Sequence, residues 1–177
     1  MAQVTYLLDP AHSAAHFSVR HMMISNVRGE FTKVSGKILW DSDNPANSSI
    51  EASIDVNSIN TREPQRDGHL RSPDFLDAEK FPEIRFRSTG IEGSEGEYQV
   101  TGDLTIHGVT RSVVLNVEGP TPETRDPWGQ VKIGASATGK INRKDYGLEW
   151  NAALETGGVL VGEEVKITLE VEGTRQQ

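Results

Sequence analysis

Alternation between apolar and polar residues is the feature that most restricts how this chain can fold. Residues 98–107 place an apolar residue or glycine at every second position: Tyr98, Val100, Gly102, Leu104 and Ile106. Successive side chains of a β-strand point to opposite faces, so the pattern predicts a strand with one apolar face. At about 3.3 Å per residue this strand would be roughly 33 Å long, longer than the usual five or six residues.

The same pattern recurs along the chain and predicts an all-β protein of eight or nine strands. The other strand-like segments are residues 3–8, 15–20, 34–40, 52–56, 83–87, 113–117, 131–141 and 165–172. Antiparallel strands with one apolar face bury that face in a sandwich or a closed barrel, and periodicity alone does not choose between them. An eight-stranded barrel has room for packed side chains or for one small ligand.

One segment, residues 61–81, interrupts the strand pattern and predicts two short helices. Thr61 is a suitable cap for the first, and Pro64 is tolerated in its first turn. Ser72-Pro73-Asp74 combines a capping residue, a proline and an acid in the order that starts a helix. We therefore expect one or two short helices around residues 61–80, inserted into a single domain that spans residues 1–177.

Composition and charge argue against several classes of protein. The 177 residues include 26 acids, 18 Lys or Arg and no cysteine, which gives a net charge of −8. This acidic balance predicts no nucleic-acid partner and disfavours anionic membrane surfaces. Because no apolar run approaches about 18 residues, no stable membrane insertion is expected. No signal peptide is visible, which predicts a cytoplasmic location, or a periplasmic one if a leader has been removed.

The familiar catalytic motifs do not fit this sequence. His12, His16 and His21 lie close together, but His21 has the opposite strand parity, so these three are not expected to share a metal ion. Residues 134–138 miss the G-x-S-x-G pattern by one position and lie in an alternating strand. We therefore predict no catalytic residue, no metal and no catalytic cofactor.

The charges around the predicted helices allow two interpretations. Residues 62–87 contain six Lys or Arg and six Asp or Glu, so this window is neutral in an acidic chain. It could form a cationic rim near the polar end of a ligand. The alternative is a set of surface ion pairs, each worth about 0–1 kcal/mol.

Several motifs, taken together and in order, resemble the signature of YceI-like proteins. The resemblance runs from about residue 5 to residue 172. Its residues are Asp9 with His12-Ser13, Phe17, residues 19–22 (VRHM), 27–31 (VRGEF), 58–61 (SINT), 66–72 (RDGHLRS), Asp74-Phe75, Phe81-Pro82, 102–110 (GDLTIHGVT), 141–148 (INRKDYGL) and 161–165 (VGEEV).

This resemblance implies a fold and a function. The implied fold is an extended eight-stranded antiparallel lipocalin-like β-barrel that holds an isoprenoid lipid, such as a polyprenyl diphosphate, a polyprenyl phenol or a quinone-like molecule. It implies a lipid-binding or transport protein, permits a homodimer and carries no established catalytic activity, so we predict that the protein is not an enzyme. Two alternatives are an enzyme that acts on a lipophilic substrate and a filled barrel that serves as a protein-interaction module.

The predicted ligand site has an apolar and a polar part. Arg66, His69 and Arg71 are the first candidates for the polar head group, because a guanidinium can bond two phosphate oxygens at once. Arg20 and His21 of the second strand are further candidates. The predicted apolar lining consists of Phe17, Val19, Phe31, Ile54, Val56, Phe75, Phe81, Ile84, Phe86, Leu104, Ile106, Leu115, Ile133, Trp150 and Ile167.

Overall fold

Twelve β-strands and one α-helix form within residues 3–152, 154 and 158–177, the part of the chain that the computed structural model describes. In chain order they are β1 (Gln3–Leu8), β2 (Ala14–His21), β3 (Ser25–Phe31), β4 (Val34–Asp41), β5 (Ser49–Asp55), β6 (Ile59–Asn60), α1 (Pro64–Arg71), β7 (Glu83–Ser94), β8 (Glu97–Ile106), β9 (Val109–Glu118), β10 (Thr124–Arg125), β11 (Val131–Asn142) and β12 (Val161–Arg175). None of the helices in this part is long and apolar enough to cross a membrane.

Eight of the strands close an antiparallel barrel. Their order around the ring is β11-β9-β8-β7-β5-β4-β1-β12, and β12 pairs with β11 to complete it. This closing pair runs from Lys132 opposite Thr174 to Asn142 opposite Glu164. The all-β barrel is therefore confirmed, and the closed ring rules out a sandwich.

The barrel is extended at one end by a hairpin. One edge of β12 pairs with β1 near its C-terminal end and with β2 near its N-terminal end, for example Ile167 opposite Phe17. Strand β2 then pairs with β3, which lies outside the ring of eight. The β2–β3 hairpin therefore extends the wall of the barrel beyond the ends of the other strands.

Strand parity sets which side chains face inward. Val100, Leu104 and Ile106 of β8 are buried, as the alternation predicts. In β7 the pairing register shifts between Ser88 and Gly90. An extra residue in one strand reverses the parity beyond it, which is why Ile91 is buried although its parity is opposite to that of Ile84.

The prediction of two helices is correct for the first and wrong for the second. Helix α1 has Pro64 in its first turn, but its N-cap is Glu63, whose carboxylate accepts the Arg66 N–H at 2.7 Å. Residues from Ser72 onward form turns, such as the Phe75 N–H donating to the Ser72 carbonyl at 3.0 Å. The same capping residues favour turns and helix starts, so the motif at Ser72 is ambiguous.

Strand β3 is not among the strands expected from alternation, and one of its faces carries Val27, Gly29 and Phe31. The Phe17 ring on β2 crosses over Gly29, and a Cβ there would lie 2.5 Å from the ring's Cζ atom. The ring also packs on Phe31, with 5.6 Å between centroids. A glycine is thus needed for aromatic packing at the position where alternation calls for an apolar side chain.

Candidate functional site

A cavity of about 390 Å³ lies inside the barrel. Its wall is almost entirely aliphatic and aromatic carbon, contributed by inward-facing residues of the strands and by α1 and the turns after it. This volume falls within the range of roughly 300–1,000 Å³ that is typical of small-molecule sites. An apolar ligand chain needs no hydrogen-bond partners, so this cavity can bury one.

Most of the predicted apolar residues border this cavity. The exceptions are Val56, Phe81 and Ile133, which are placed elsewhere. Val56 and Ile133 are buried in packed regions, and Phe81 packs its ring on His107 with 4.9 Å between centroids. Those that line the cavity are Phe17, Val19, Phe31, Ile54, Phe75, Ile84, Phe86, Leu104, Ile106, Leu115, Trp150 and Ile167.

The polar end of the cavity, which we call the mouth, is formed by Arg20, His21, His69, Trp150 and Leu160. These residues come from the end of β2, from α1 and from the chain that leads into β12. The His69 ring contacts Trp150 edge-on, with 4.8 Å between centroids. Aromatic and cationic groups therefore meet where the barrel is extended by its hairpin.

Arg66 lines the cavity but is engaged in a structural contact. Its Nε donates to Thr61 Oγ1 at 2.8 Å and its Nη2 to the Thr61 carbonyl at 2.7 Å. The buried Asp67 carboxylate in turn accepts the Thr61 N–H at 2.9 Å. This network fixes the start of α1 against β6, which leaves only part of the Arg66 guanidinium for a ligand.

The other predicted head-group residues differ in whether their side chains already have a partner within the protein. His69 Nε2 lies 2.9 Å from Asp74 Oδ2. Arg71 is half-buried and is not among the residues that line the cavity. Arg20 and His21 border the cavity, and neither side chain has a hydrogen-bond or ion-pair partner among the described residues. His21 shares the inward strand face of Val19, whereas Arg20 starts from the outer face and reaches the rim.

Arg143 is a cavity residue that the sequence did not single out. Its buried guanidinium donates to four backbone carbonyls, those of Leu148 (2.6 Å), Trp150 (3.0 Å), Gly162 (2.7 Å) and Val161 (3.2 Å). Burial lowers its pKa from the ordinary value. The side chain thus holds the segment that carries Trp150 against the start of β12 and shapes the mouth.

The opposite end of the barrel, which we call the base, is closed by side chains. Tyr6 and Ile133 are buried and pack on either side of Gly173. The Tyr6 hydroxyl donates to Glu123 Oε1 at 2.7 Å, and Arg175 binds the same carboxylate at 2.9 Å. Burial, together with this carboxylate, raises the pKa of Tyr6 to about 12. Glu123 belongs to the long loop between β9 and β11, so these bonds tie the loop to the base.

The described residues do not include a group of three His, Cys, Asp or Glu side chains placed to hold a metal ion. The three N-terminal histidines are separated. His12 Nδ1 lies 2.8 Å from Asp9 Oδ2, His16 Nδ1 lies 3.6 Å from Glu30, and His21 is at the mouth.

The YceI-like domain is the family model that this chain matches, over residues 6–173. The chain belongs to the YceI-like family. Two relatives are UPF0312 proteins. The one from Photorhabdus laumondii is 35% identical over 94% of this chain and 83% of its own length, and the one from Staphylococcus aureus is 36% identical over 94% and 95%.

Solved structures share the YceI-like fold. The Campylobacter jejuni YceI protein is 31% identical and superposes with a TM-score of 0.74 over 89% of this chain and 90% of its own. Burkholderia cenocepacia BcnA reaches 0.78 at 23% identity over 93% and 98%. A polyisoprenoid binding domain from Saccharophagus degradans, implicated in plant cell wall breakdown, reaches 0.72 at 20% identity over 97% and 98%. At such identities the last two likenesses concern the fold.

Proposed function

We propose that this YceI-like protein binds and carries one long-chain isoprenoid lipid, with the apolar chain in the barrel and the polar end at the mouth. The observation that carries the proposal is the cavity of about 390 Å³ inside the barrel, with its carbon wall. The fold shared with a polyisoprenoid binding domain supports it. The ligand classes that fit are polyprenyl diphosphates, polyprenyl phenols and quinone-like lipids.

The physics of the cavity favours a long hydrocarbon over a compact polar ligand. Burial of apolar surface contributes about 25 cal/mol per Å², so several hundred Å² of hydrocarbon contribute on the order of 10 kcal/mol before the cost of ordering the chain. A wall of aliphatic and aromatic side chains selects by shape and length, because it offers no donors or acceptors to distinguish functional groups.

Two alternatives fit the structure less well. A filled barrel that recognises proteins through its outer surface would have no empty interior, whereas this one has a cavity. The enzyme alternative is favoured by no specific observation, because the wall of the cavity is almost entirely carbon and two of its charged side chains, Arg143 and Arg66, are bonded to backbone carbonyls and to Thr61. These polar groups hold the mouth in shape.

The head group is best assigned to His21 and Arg20. Both border the cavity without a partner among the described residues, whereas Arg66 and His69 already have one. A charge-assisted hydrogen bond from an unpartnered guanidinium, or a hydrogen bond from an unpartnered imidazole, forms without breaking a bond within the protein. We therefore place a phosphate or ring oxygen of the ligand beside β2.

Extraction of the bound lipid tests this function most directly. Protein purified without detergent is denatured in organic solvent, and the extract is analysed by mass spectrometry. We expect a polyprenyl species at a substantial fraction of one per chain, and binding of a fluorescent polyprenyl analogue by the delipidated protein. A clean extract together with no binding of the analogue would overturn the proposal.

A matched pair of variants places the ligand. Leu104 lines the cavity, and its neighbour Thr105 faces outward, where its hydroxyl pairs with Thr110 at 2.7 Å. In Leu104→Trp the indole should occupy the cavity and weaken binding of the analogue by roughly tenfold or more, with a modest change in stability. Thr105→Trp adds the same bulk outside and should leave binding nearly intact. Equal binding by both variants would place the ligand elsewhere.

A further inference from the structure

The turn between β2 and β3 exposes an unusual amount of apolar surface. Met22 is 43% exposed, Met23 58% and Ile24 74%, and the adjacent Val159 is 39% exposed. These four residues, which we call the tip patch, make up four of the seven large hydrophobic side chains that are exposed in the described part of the chain. An exposed apolar cluster of this kind is typical of a surface that binds a protein or a membrane.

The backbone of the tip shows that the methionines are poorly suited to the turn itself. Met22 has φ 53° and Met23 has φ 62°, and the Ile24 N–H donates to the His21 carbonyl at 3.1 Å. Tight turns with positive φ at both central residues favour Asn-Gly, because larger L-residues are strained there. The turn therefore lacks the residues that its backbone conformation favours and carries two long apolar side chains instead. Such departures from local preference are concentrated at functional sites.

The tip patch is continuous with the mouth of the cavity. The Met22 N–H donates to the carbonyl of Leu160, a mouth residue, at 2.8 Å. The Met23 sulfur lies against Gly158, where an added Cβ would collide with it. A surface that covered the tip patch would therefore also cover the mouth.

The charge next to the tip patch is positive, in contrast to the chain as a whole. Residues 19–29 contain two arginines, Arg20 and Arg28, and no acid, whereas the full chain has a net charge of −8. Strand pairing of Ser18 with Arg28 and of Arg20 with Asn26 puts both arginines on the same outer face of the hairpin. The nearby Glu163 is paired with Lys144 at 2.9 Å.

We propose that the tip patch inserts into the interface of an anionic lipid bilayer, with Arg20 and Arg28 among the lipid head groups. Apolar side chains beside cationic ones are the combination that binds such an interface. The remote acids oppose this only weakly, because at physiological ionic strength charges are screened beyond about 8 Å. Docking brings the mouth to the membrane surface, so that a ligand chain can pass between bilayer and barrel without crossing water. This transfer step rests on the proposed function, whereas docking itself does not.

The test is co-flotation of the full chain with vesicles of phosphatidylcholine containing about one third phosphatidylglycerol, without added ligand. We expect the protein to float with these vesicles and to do so less in high salt. The variant Met22→Asn/Met23→Gly installs the preferred turn sequence, so it should melt at the same temperature or higher. Its partition into vesicles should nevertheless fall about tenfold, because two inserted side chains are lost.

Trp128→Ser is the matched control for the loss of apolar surface. Trp128 is 84% exposed and lies in the turn between β10 and β11, at the base, so its loss should leave vesicle binding unchanged. Failure of the wild-type protein to float, or equal flotation of the Asn-Gly variant, would overturn the proposal. Concentration-dependent dimerisation that the Asn-Gly variant abolishes, without flotation, would overturn it in favour of a second copy of the chain.

Failure of docking and failure of lipid binding can be told apart. Binding of the fluorescent polyprenyl analogue is measured in solution without vesicles, where the Asn-Gly variant should match the wild-type protein. If both bind the analogue but neither floats, only the docking proposal is wrong.

Discussion

The base and the mouth of this barrel use the same kinds of residues in opposite ways. At the base, Tyr6 and Arg175 both bind Glu123, and Ile133 is packed out of contact with water. At the mouth, Arg20 and His21 have no partner among the described residues. The polar groups named at the base therefore bind one another, whereas two of those at the mouth, Arg20 and His21, are left without a partner.

From this difference we expect the base to contribute mainly to stability and the mouth mainly to ligand binding, although both belong to one sheet. Strand β12 belongs to both ends, with Gly173 at the base and Val161 beside His21 at the mouth. A close-packed base adds stability through burial, whereas an empty cavity forgoes the contacts its wall would otherwise make. Changes at the base should therefore alter folding, and changes toward the mouth should alter binding.

The largest effect is expected from a comparison of two isoleucine truncations, one at the packed base and one on the cavity wall midway along β12. Ile133→Ala at the base leaves a void in a packed region and should lower the free energy of unfolding by about 2–4 kcal/mol. Ile167→Ala only widens an existing cavity from a half-buried position, so the loss should be nearer to about 1 kcal/mol. Urea unfolding of the delipidated variants measures both. Equal losses would show that Ile167 is packed like a core residue.

The next effect concerns Asp9, at the junction between β1 and β2, which contacts β11 near the base. Its carboxylate binds Lys132 Nζ at 2.7 Å and His12 at 2.8 Å, and these bonds hold the pKa of Asp9 well below its usual range. Asp9→Asn should cost about 2 kcal/mol at neutral pH. A depressed carboxyl pKa stabilises the fold above the unfolded-state value near 3.8 and loses that effect as the pH falls toward the folded-state value.

The pH dependence separates this ion pair from a packing effect. Unfolding of wild-type and Asp9→Asn protein is compared at about pH 7 and about pH 3. The difference should narrow in acid, because Asp9 of the unfolded wild-type chain takes up a proton below its ordinary pKa while the folded state still holds a carboxylate. A difference that stays constant would mean that the carboxylate charge is not what stabilises the junction.

A smaller effect is expected at the base from Tyr6→Phe. The ring remains and only the hydroxyl bond to Glu123 is lost, so the free energy of unfolding should fall by about 1 kcal/mol. Binding of the polyprenyl analogue should be unchanged, since the base does not contact the ligand in our proposal. Weaker binding by this variant would contradict the separation of the two ends.

Much of the apolar lining could be predicted because strand parity is a local property, whereas the choice of a barrel over a sandwich depended on the resemblance to YceI-like proteins. Leu104, Ile106 and Phe86 were placed inward by alternation alone, and the structure puts them on the cavity wall. The role of Arg143 could not be predicted, because its partners are carbonyls of residues 148–162 that only the folded chain brings together. Leu160 lies outside any alternating segment and likewise gave no signal.

Which cations are free is also a property of the fold. Arg66 and Arg20 each lie inside a motif typical of YceI-like proteins, and the sequence analysis places Arg66 ahead of Arg20 as a head-group residue. The start of α1 turns Thr61 toward Arg66 and occupies it, whereas the end of β2 leaves Arg20 at the rim. Residue type identified the candidates, and only geometry could distinguish them.

The smallest effect tests that distinction at the mouth. Arg20 is exposed, so solvent screens its charge and Arg20→Gln should weaken a polyprenyl diphosphate only about threefold. A neutral quinone-like ligand should bind that variant as before, because it has no phosphate charge to lose.

Arg66→Gln should instead lower stability by breaking the Thr61 bonds, with the same loss of affinity for both ligands. Both affinities are measured in solution without vesicles, which keeps membrane docking out of the comparison. If Arg66→Gln alone discriminated between the two ligands, the head group would lie at α1 and not beside β2.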